Sequence, residues 1–521
     1  MTELGRAILW LAAALGVASV LLLLLVLGAL VANDLRLTFR RWLRRVLTAD
    51  QQRLLTRFRT RLDPYKFEKK RHVRRRLVED ERLHEELLAY AEDSGEPIEA
   101  ILGRVVDYAD EIIPSFNVVS YYRVGYTVAA LAIRTLYRPW IDRADVERLR
   151  TFMDRAQAEG GTVVIVMNHR SNADFVLVGY MLARSIALSY AVGEWARVWP
   201  LEWLFKSFGS YFVRRGCKDP VYHLTLRRYL QIISEEGVTQ GIFIEGGLSR
   251  DGLLRPAKCG LLDSLSTLPP RADGTPRPIW FVPVGINYDR VLEDEMLTSG
   301  TEGADGMGKG LKYYLSALSR VGRYFFSNLP RYVVRRVRKF GYAGVAIGEP
   351  VALSALFDRP LSELATLGRE ERKPVMQGAA DRLLVRIGEV VPVTPVSLVA
   401  AAILGRDLSV DEEHHLSEAE LSARIEHLIA QLKESGAKVV AAERGLSYLV
   451  HVGLTILGTR QHLQHVGGVV ATKRSTRHLL RYYANGIGPQ LSRVRSLKES
   501  ESLPSGDLDR LGILGHMPAQ E

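Results

Sequence analysis

Cysteine is nearly absent from this chain. Cys217 and Cys259 are the two in 521 residues, which excludes a disulfide framework and agrees with a reducing compartment. Both lie near polar motifs but read as ordinary intracellular thiols. A Gly-x-Ser-x-Gly elbow is also missing, which argues against an acyl-serine hydrolase. The stretch 303–310 matches a phosphate-binding loop up to its last position, where Gly310 lacks the hydroxyl needed for Mg²⁺. No apolar strand precedes it, so it reads as a flexible loop. His414-His415 and His462/His465 suggest a metal only weakly. No Cys or acid stands at ligand spacing around the second pair, and all four read as solvated helix histidines. There are no internal repeats.

Net positive charge is absent outside one segment. The net charge is +11, yet residues 36–76 hold sixteen Lys or Arg against three acids, a local +13. The rest of the chain is about −2. That excludes a body built to bind nucleic acid and isolates one basic arm.

Residues 7–32 carry no charge and are mostly Leu, Val and Ala. As a helix they extend about 39 Å, enough to span a hydrocarbon core of ~30 Å with tilt. Five arginines follow between Arg36 and Arg45, and only Arg6 precedes. The expectation is a single-pass cell-membrane protein with its catalytic bulk on the cytoplasmic side. A cleaved signal peptide is disfavoured by the long apolar run and the weakly basic start. Trp42, Leu43, Val46 and Leu47 share a helical face opposite arginines, which suits a membrane surface or a solvated arm.

From about Asp145 helices and strands alternate. Strands are expected at 163–167, 188–192, 211–214, 241–245, 279–284 and 344–347, with helices at 146–159 and 222–236. This implies an α/β layered domain with a mostly parallel sheet flanked by helices, whose motifs converge on one sheet edge. The division expected is an anchor at 1–34, a basic helical region at 35–140, the α/β domain at 141–355 and a helical region at 356–521. A second basic run, 331–339, suits membrane and solvent equally. After Pro350 the chain reads as helical. The apolar stretch 390–404 is too short to span. Thr394 as N-cap, Pro395 at N1 and Gly405 as C-cap make it a buried or interfacial helix. The tail from Ser500 is polar.

Four motifs carry chemistry. In the first, Met167-Asn168-His169-Arg170-Ser171-Asn172-Ala173-Asp174 follows an apolar strand. His169 can take a proton near neutral pH, and Asp174 can hold the other ring nitrogen. A spacing of five on a regular helix sets side chains about 140° apart, so the chain must bend between them. Ser171 or Asn172 as N-cap of a helix over 175–182 supplies the bend. The second, 209–216, ends a short strand in Arg214-Arg215, which suits anion capture. The third is Ile242-Phe243-Ile244-Glu245-Gly246-Gly247-Leu248-Ser249-Arg250, with Lys258-Cys259-Gly260 beyond. Its glycines let a ligand approach the backbone, and Glu245 is a candidate to bind a substrate hydroxyl. The fourth, 281–288, has Pro283 in mid-strand, a pattern that in isolation indicates an edge strand.

Together and in this order the four motifs resemble the glycerol-phosphate acyltransferase family. The likeness continues in Val345 to Pro350, in Pro392 to Val399 and in Leu480-Arg481-Tyr482-Tyr483, and covers about 112–489. The last two segments resemble the long bacterial and mitochondrial members. The family usually carries arginine where this chain has Leu248. The resemblance implies transfer of a fatty-acyl group from acyl-CoA or acyl carrier protein to the sn-1 hydroxyl of glycerol 3-phosphate, in phospholipid biosynthesis. It implies His169 and Asp174 as the catalytic pair. Substrate binding would fall to Arg214, Arg215, Glu245, Gly246, Gly247, Ser249, Arg250 and Pro283. No acyl-enzyme, metal or cofactor is implied; glycerol 3-phosphate, the thioester and membrane lipids are the expected partners, with no nucleic acid. Dihydroxyacetone phosphate or a lysophospholipid is the alternative acceptor, and a non-catalytic lipid-binding scaffold the alternative class.

Overall fold

The computed structural model describes residues 70–500 apart from 118–119, 184, 187, 194–201, 203–204, 207, 215, 272, 299–338, 406–414, 460–462, 467 and 473. Strand β1 spans Arg138–Ile141, β2 Thr162–Met167, β3 Ser189–Gly193, β4 Tyr211–Val213, β5 Gln240–Phe243, β6 Ile279–Tyr288, β7 Tyr342–Ile347 and β8 Val351–Ala352. They form one sheet in the order β1-β7-β6-β2-β5-β3-β4, with β8 against β6. β6 runs antiparallel to β7 and β8, and the other pairings are parallel. The mostly parallel sheet expected from the alternating pattern is therefore what forms.

Strand β2 lies near the middle and is buried along its whole length. Its β-branched run suits a strand covered on both faces. Val163, Ile165 and Met167 enter one core, which also takes in the C-terminal helices. Val164 and Val166 enter another, with Leu262, Met376 and Leu383. This is the two-residue period of a pleated strand. The helices Lys70–Val78, Glu81–Ser94 and Ile98–Ile112 pack a third core against Tyr211 and the helix Pro220–Glu235.

Pro283 lies inside the sheet rather than at its edge, opposite Val166 of β2. Its carbonyl accepts from Gly348 N at 2.8 Å, just where β7 has ended and β8 has not begun. A strand residue turns its N–H and C=O to the same side. The missing N–H therefore faces a break in the ladder.

Three expectations are corrected. First, in the region expected to be helical over 35–140 the last helix ends at Leu136, and Arg138–Ile141 is an edge strand, where Pro139 is tolerated. Second, the C-terminal region is not helical throughout. His415–Ser417, Leu463–Val466 and Val469–Thr472 form a small antiparallel sheet, so His415 and His465 stand on strands; His414 and His462 lie outside the described residues. Third, the single-pass membrane placement does not hold. Among the described residues no helix is long and apolar enough to cross a membrane. The run 7–32 lies outside the described residues, as do the arm up to 69, the 303–310 loop and most of the second basic run. The apolar helix Pro395–Leu404 has ten residues, all buried, and a length of about 15 Å, half a hydrocarbon core. Its caps are Thr394 and Gly405.

This helix is tied to the sheet by Asp289, just past β6. Oδ1 accepts from Val396 N at 2.9 Å and Oδ2 from Tyr342 N at 2.7 Å. Burial pushes the carboxyl up from 3.8 to about 6, although both N–H groups favour the anion. Between about pH 4 and 6 the folded chain thus binds this proton more tightly than the unfolded one. Stability falls as pH rises through that window. Asp289→Asn removes the titration. In urea unfolding, the variant's deficit against the native chain should shrink between pH 4 and pH 7 by on the order of 3 kcal/mol. A deficit independent of pH would contradict the assignment.

Candidate active site at the C-terminal edge of the sheet

The parallel strands β2, β3, β4, β5 and β6 all end on one edge, and the first motif turns the corner there. β2 ends at Met167 and a helix runs from Asp174 to Leu182. Asp174 itself is the first helical residue. Neither Ser171 nor Asn172 caps the helix as expected: the N-cap position is Ala173, without a side-chain bond. The bend is made by Asp174 instead. Its Oδ2 accepts from Arg170 N at 2.7 Å, from Ser171 N at 3.0 Å and from His169 Nδ1 at 2.9 Å. Its Oδ1 accepts from Tyr288 Oη at 2.7 Å. Burial, and then the Asp174 charge, pushes the Tyr288 hydroxyl well above its ordinary range, so it stays a donor.

With Nδ1 committed, Nε2 is the working nitrogen of His169. The side chain is 10% exposed, and its ring stacks on Phe243 at 4.2 Å between centroids. Its backbone is held from both sides. His169 N donates to Glu245 Oε1 at 2.8 Å, and His169 O accepts from Ser249 N at 3.1 Å. On the β6 side, Asn168 extends the ladder with its side chain. Oδ1 accepts from Ile286 N at 2.8 Å and Nδ2 donates to Ile286 O at 2.9 Å.

Two further charges brace the loop. Buried Arg170 donates to the carbonyls of Gly252 and Gly486, tying the third motif to the C-terminal region. Glu293 accepts from Ser171 Oγ at 2.8 Å and from Asn172 N and Nδ2 at 3.3 Å each. Burial raises its carboxyl above the ordinary range.

The expected site residues fall into four groups. His169, Asp174, Glu245, Gly246, Gly247, Ser249 and Arg250 come together. Within this group Glu245 is a brace: it is buried, Oε1 takes His169 N, and Oε2 takes Arg255 N at 2.6 Å. Burial raises its carboxyl despite those bonds. Gly246 has φ +64°, which favours glycine. Ser249 Oγ donates to Leu253 O at 2.6 Å and accepts from Gly252 N at 3.0 Å, shaping the turn. Arg250 is exposed on it. Pro283 lies in the sheet below.

Arg214 stands apart. It follows β4, three strand spacings from β2, or about 14 Å across the sheet. Its Nε and Nη2 bond Glu111 at 2.9 and 2.5 Å, and its guanidinium lies 5.1 Å from the Tyr108 ring centroid. The bonds to Glu111 hold it firmly protonated, and they join the edge strand to the N-terminal helices. Arg215 lies outside the described residues. Sequence reasoning gave no role to Tyr288, Glu293, Asn168 or Arg170. The only hint for Tyr288 was its position at the end of the fourth motif.

The family described as Acyltransferase matches residues 143–287, which hold strands β2 to β5, nearly all of β6 and the His169 corner. The family described as Glycerol-3-phosphate acyltransferase C-terminal region matches residues 327–488. Over these two regions the chain is similar to the glycerol-phosphate acyltransferases. Among similar proteins, one named glycerol-3-phosphate acyltransferase from Actinobacillus succinogenes is 29% identical over 342 residues, 64% of this chain and 40% of that protein. One of the same name from Aeromonas hydrophila is 27% identical over 424 residues, 79% of this chain and 49% of that protein. A third, from Haemophilus influenzae, is 28% identical over 338 residues, 63% and 39%. The chain thus spans less than half the length of the curated relatives it matches.

Tyr288→Phe leaves one oxygen of the Asp174 carboxylate without its buried donor. It should lower unfolding free energy by about 1.5–3 kcal/mol, the range for hydrogen bonds to charged groups. Denaturant unfolding of both proteins measures it. A loss below about 0.5 kcal/mol would mean that this bond does not hold the corner.

Proposed function

We propose that this chain acylates the sn-1 hydroxyl of glycerol 3-phosphate, taking the fatty-acyl group from a thioester, acyl-CoA or acyl carrier protein, in phospholipid biosynthesis. One observation carries the reading: a histidine whose Nδ1 is held by a buried carboxylate, with Nε2 left for substrate, at the edge where parallel strands end. The family and the names of the similar proteins support the choice of acceptor.

His169 Nε2 takes the proton of the hydroxyl, and the oxygen attacks the thioester carbonyl. The carbon–oxygen bond forms, the carbon–sulfur bond breaks, and the imidazolium returns its proton to the departing thiolate. The acyl group passes directly, with no acyl-enzyme and no cofactor besides the thioester. Asp174 keeps the proton on Nδ1 and stabilises the imidazolium. We assign Arg250 to the phosphate, a reading supported by its exposure on the turn bonded to His169 O.

His169→Ala should reduce acyl transfer by about 10²–10⁴-fold, the usual worth of a general base, and should also lower unfolding free energy by about 1.5–3 kcal/mol, because the buried Asp174 carboxylate loses a donor. Asp174→Asn should cost a similar factor and also stability, since an amide can offer Nδ1–H and Tyr288 only one acceptor oxygen. Radiolabelled acyl transfer in detergent, with unfolding curves on the same preparations, checks both. Near-normal turnover of the His169 variant would exclude the mechanism.

A further inference from the structure

Two cations near the His169 corner have no carboxylate partner among the described residues. We propose that Arg255 and Lys258 form an anion-binding pair over the Gly246-Gly247 turn and take the phosphate monoester of the acceptor. This deepens the function proposed above and rests on it.

The backbones of both residues are locked to the corner. Arg255 N donates to Glu245 Oε2 at 2.6 Å, and the other oxygen of that carboxylate takes His169 N at 2.8 Å. Lys258 N donates to Ile244 O at 2.8 Å, and Ile244 N donates to Met167 O at 3.1 Å. Pro256 restricts Arg255 to extended backbone, and Ala257 is buried in the core beneath. The frame of the pair is therefore rigid, while both side chains remain exposed.

The two glycines are shaped around these side chains. A Cβ on Gly247 would stand 2.5 Å from Arg255 Nη1, and one on Gly246 would stand 3.1 Å from Lys258 Cγ. So the Arg255 guanidinium lies over Gly247 and the Lys258 stem over Gly246, and the doublet makes room for protein side chains rather than for a ligand against bare backbone.

Neither cation is neutralised. Arg255 spends one donor on Leu248 O at 3.2 Å, and among the described residues no carboxylate pairs with Arg255 or Lys258. Elsewhere the fold readily pairs its arginines, as with Arg214 and Glu111 or Arg228 and Asp80. The nearby Asp251 is engaged locally: its Oδ1 accepts from Leu253 N at 3.0 Å and from Ser249 Oγ at 3.4 Å. Leu248, apolar itself, contributes the carbonyl that aims the Arg255 guanidinium. A guanidinium over Gly247 and a lysine whose stem covers the adjacent Gly246 suit a phosphate monoester, which carries about −1.5 to −2 at neutral pH.

A phosphate can come from the acceptor or from the acyl donor's carrier, and paired saturation curves separate the two. Arg255→Ala, Lys258→Ala and the double variant are assayed with glycerol 3-phosphate varied at fixed acyl-CoA, and the reverse. The double variant should raise the KM for glycerol 3-phosphate roughly ten- to hundred-fold, the range for one lost charge-assisted hydrogen bond or more. The KM for acyl-CoA and kcat should stay within about threefold. Arg255→Lys should recover part of the loss. The preference for glycerol 3-phosphate over glycerol should fall in parallel. An effect confined to the acyl-CoA curve would overturn the acceptor assignment and move the pair to the donor's phosphates. No effect on either curve would show two solvated surface cations. A calorimetric titration with inorganic phosphate needs no turnover. Binding by the native chain that the double variant loses would keep the anion site even if no acyl transfer to glycerol 3-phosphate were found. Equal binding by both would remove it.

Discussion

The Asp174 carboxylate is fully buried, and among the described residues no arginine or lysine side chain is bonded to it. Its charge is satisfied by four hydrogen bonds: two backbone N–H groups, the Tyr288 hydroxyl and His169 Nδ1. A buried charge is tolerated only when it is so paired, and the start of the Asp174–Leu182 helix adds a favourable dipole. The same bonds that satisfy the carboxylate fold the loop into its corner and orient the imidazole. Structure and catalytic geometry therefore cannot be separated at this residue. Any change that frees the ring also leaves a buried carboxylate short of a donor.

Around that corner the chain uses main-chain groups wherever position matters. Glu245 bonds two backbone N–H groups, from residues 169 and 255, and so sets the spacing between the first and third motifs. Asn168 replaces a ladder pair where β2 has stopped. From behind, β6 is pressed against the C-terminal region so closely that a Cβ on Gly285 would fall 2.5 Å from Val391 Cα. Arg170 then links the Gly252 turn to Gly486. The C-terminal helices are thus part of the scaffold of the site. The cations at 250, 255 and 258 stay outward because bracing is done by groups that need no exposed charge.

Features with a local cause were legible in the sequence. The buried run 162–167, the need for a bend between His169 and Asp174, and the caps of the Pro395 helix all follow from neighbouring residues. Features settled by distant partners were not. Tyr288 meets Asp174 from 114 residues away and Glu111 meets Arg214 from 103. Glu245 was expected to bind a hydroxyl, because a sequence does not show that its partners are backbone N–H groups. Strand β1 is four residues long and contains a proline, so it carries too little pattern to separate it from the helix before it. The small sheet of the C-terminal region is short for the same reason. Pro283 looked like an edge residue because the break between β7 and β8 that accommodates it lies far along the chain. The apolar run 7–32 led to a membrane-spanning placement that no helix of the described residues bears out.

The central claim is that Asp174 holds the proton on Nδ1 and leaves Nε2 of His169 as the base. The most direct measurement is nitrogen-15 NMR of histidine-labelled protein, with the His169 signal assigned by its loss in His169→Ala. In its neutral form, His169 should show a protonated Nδ1 and a pyridine-like Nε2, and this pattern should weaken or invert in Asp174→Asn. A native His169 found with the proton on Nε2, or a tautomer unaffected by Asp174→Asn, would contradict the account.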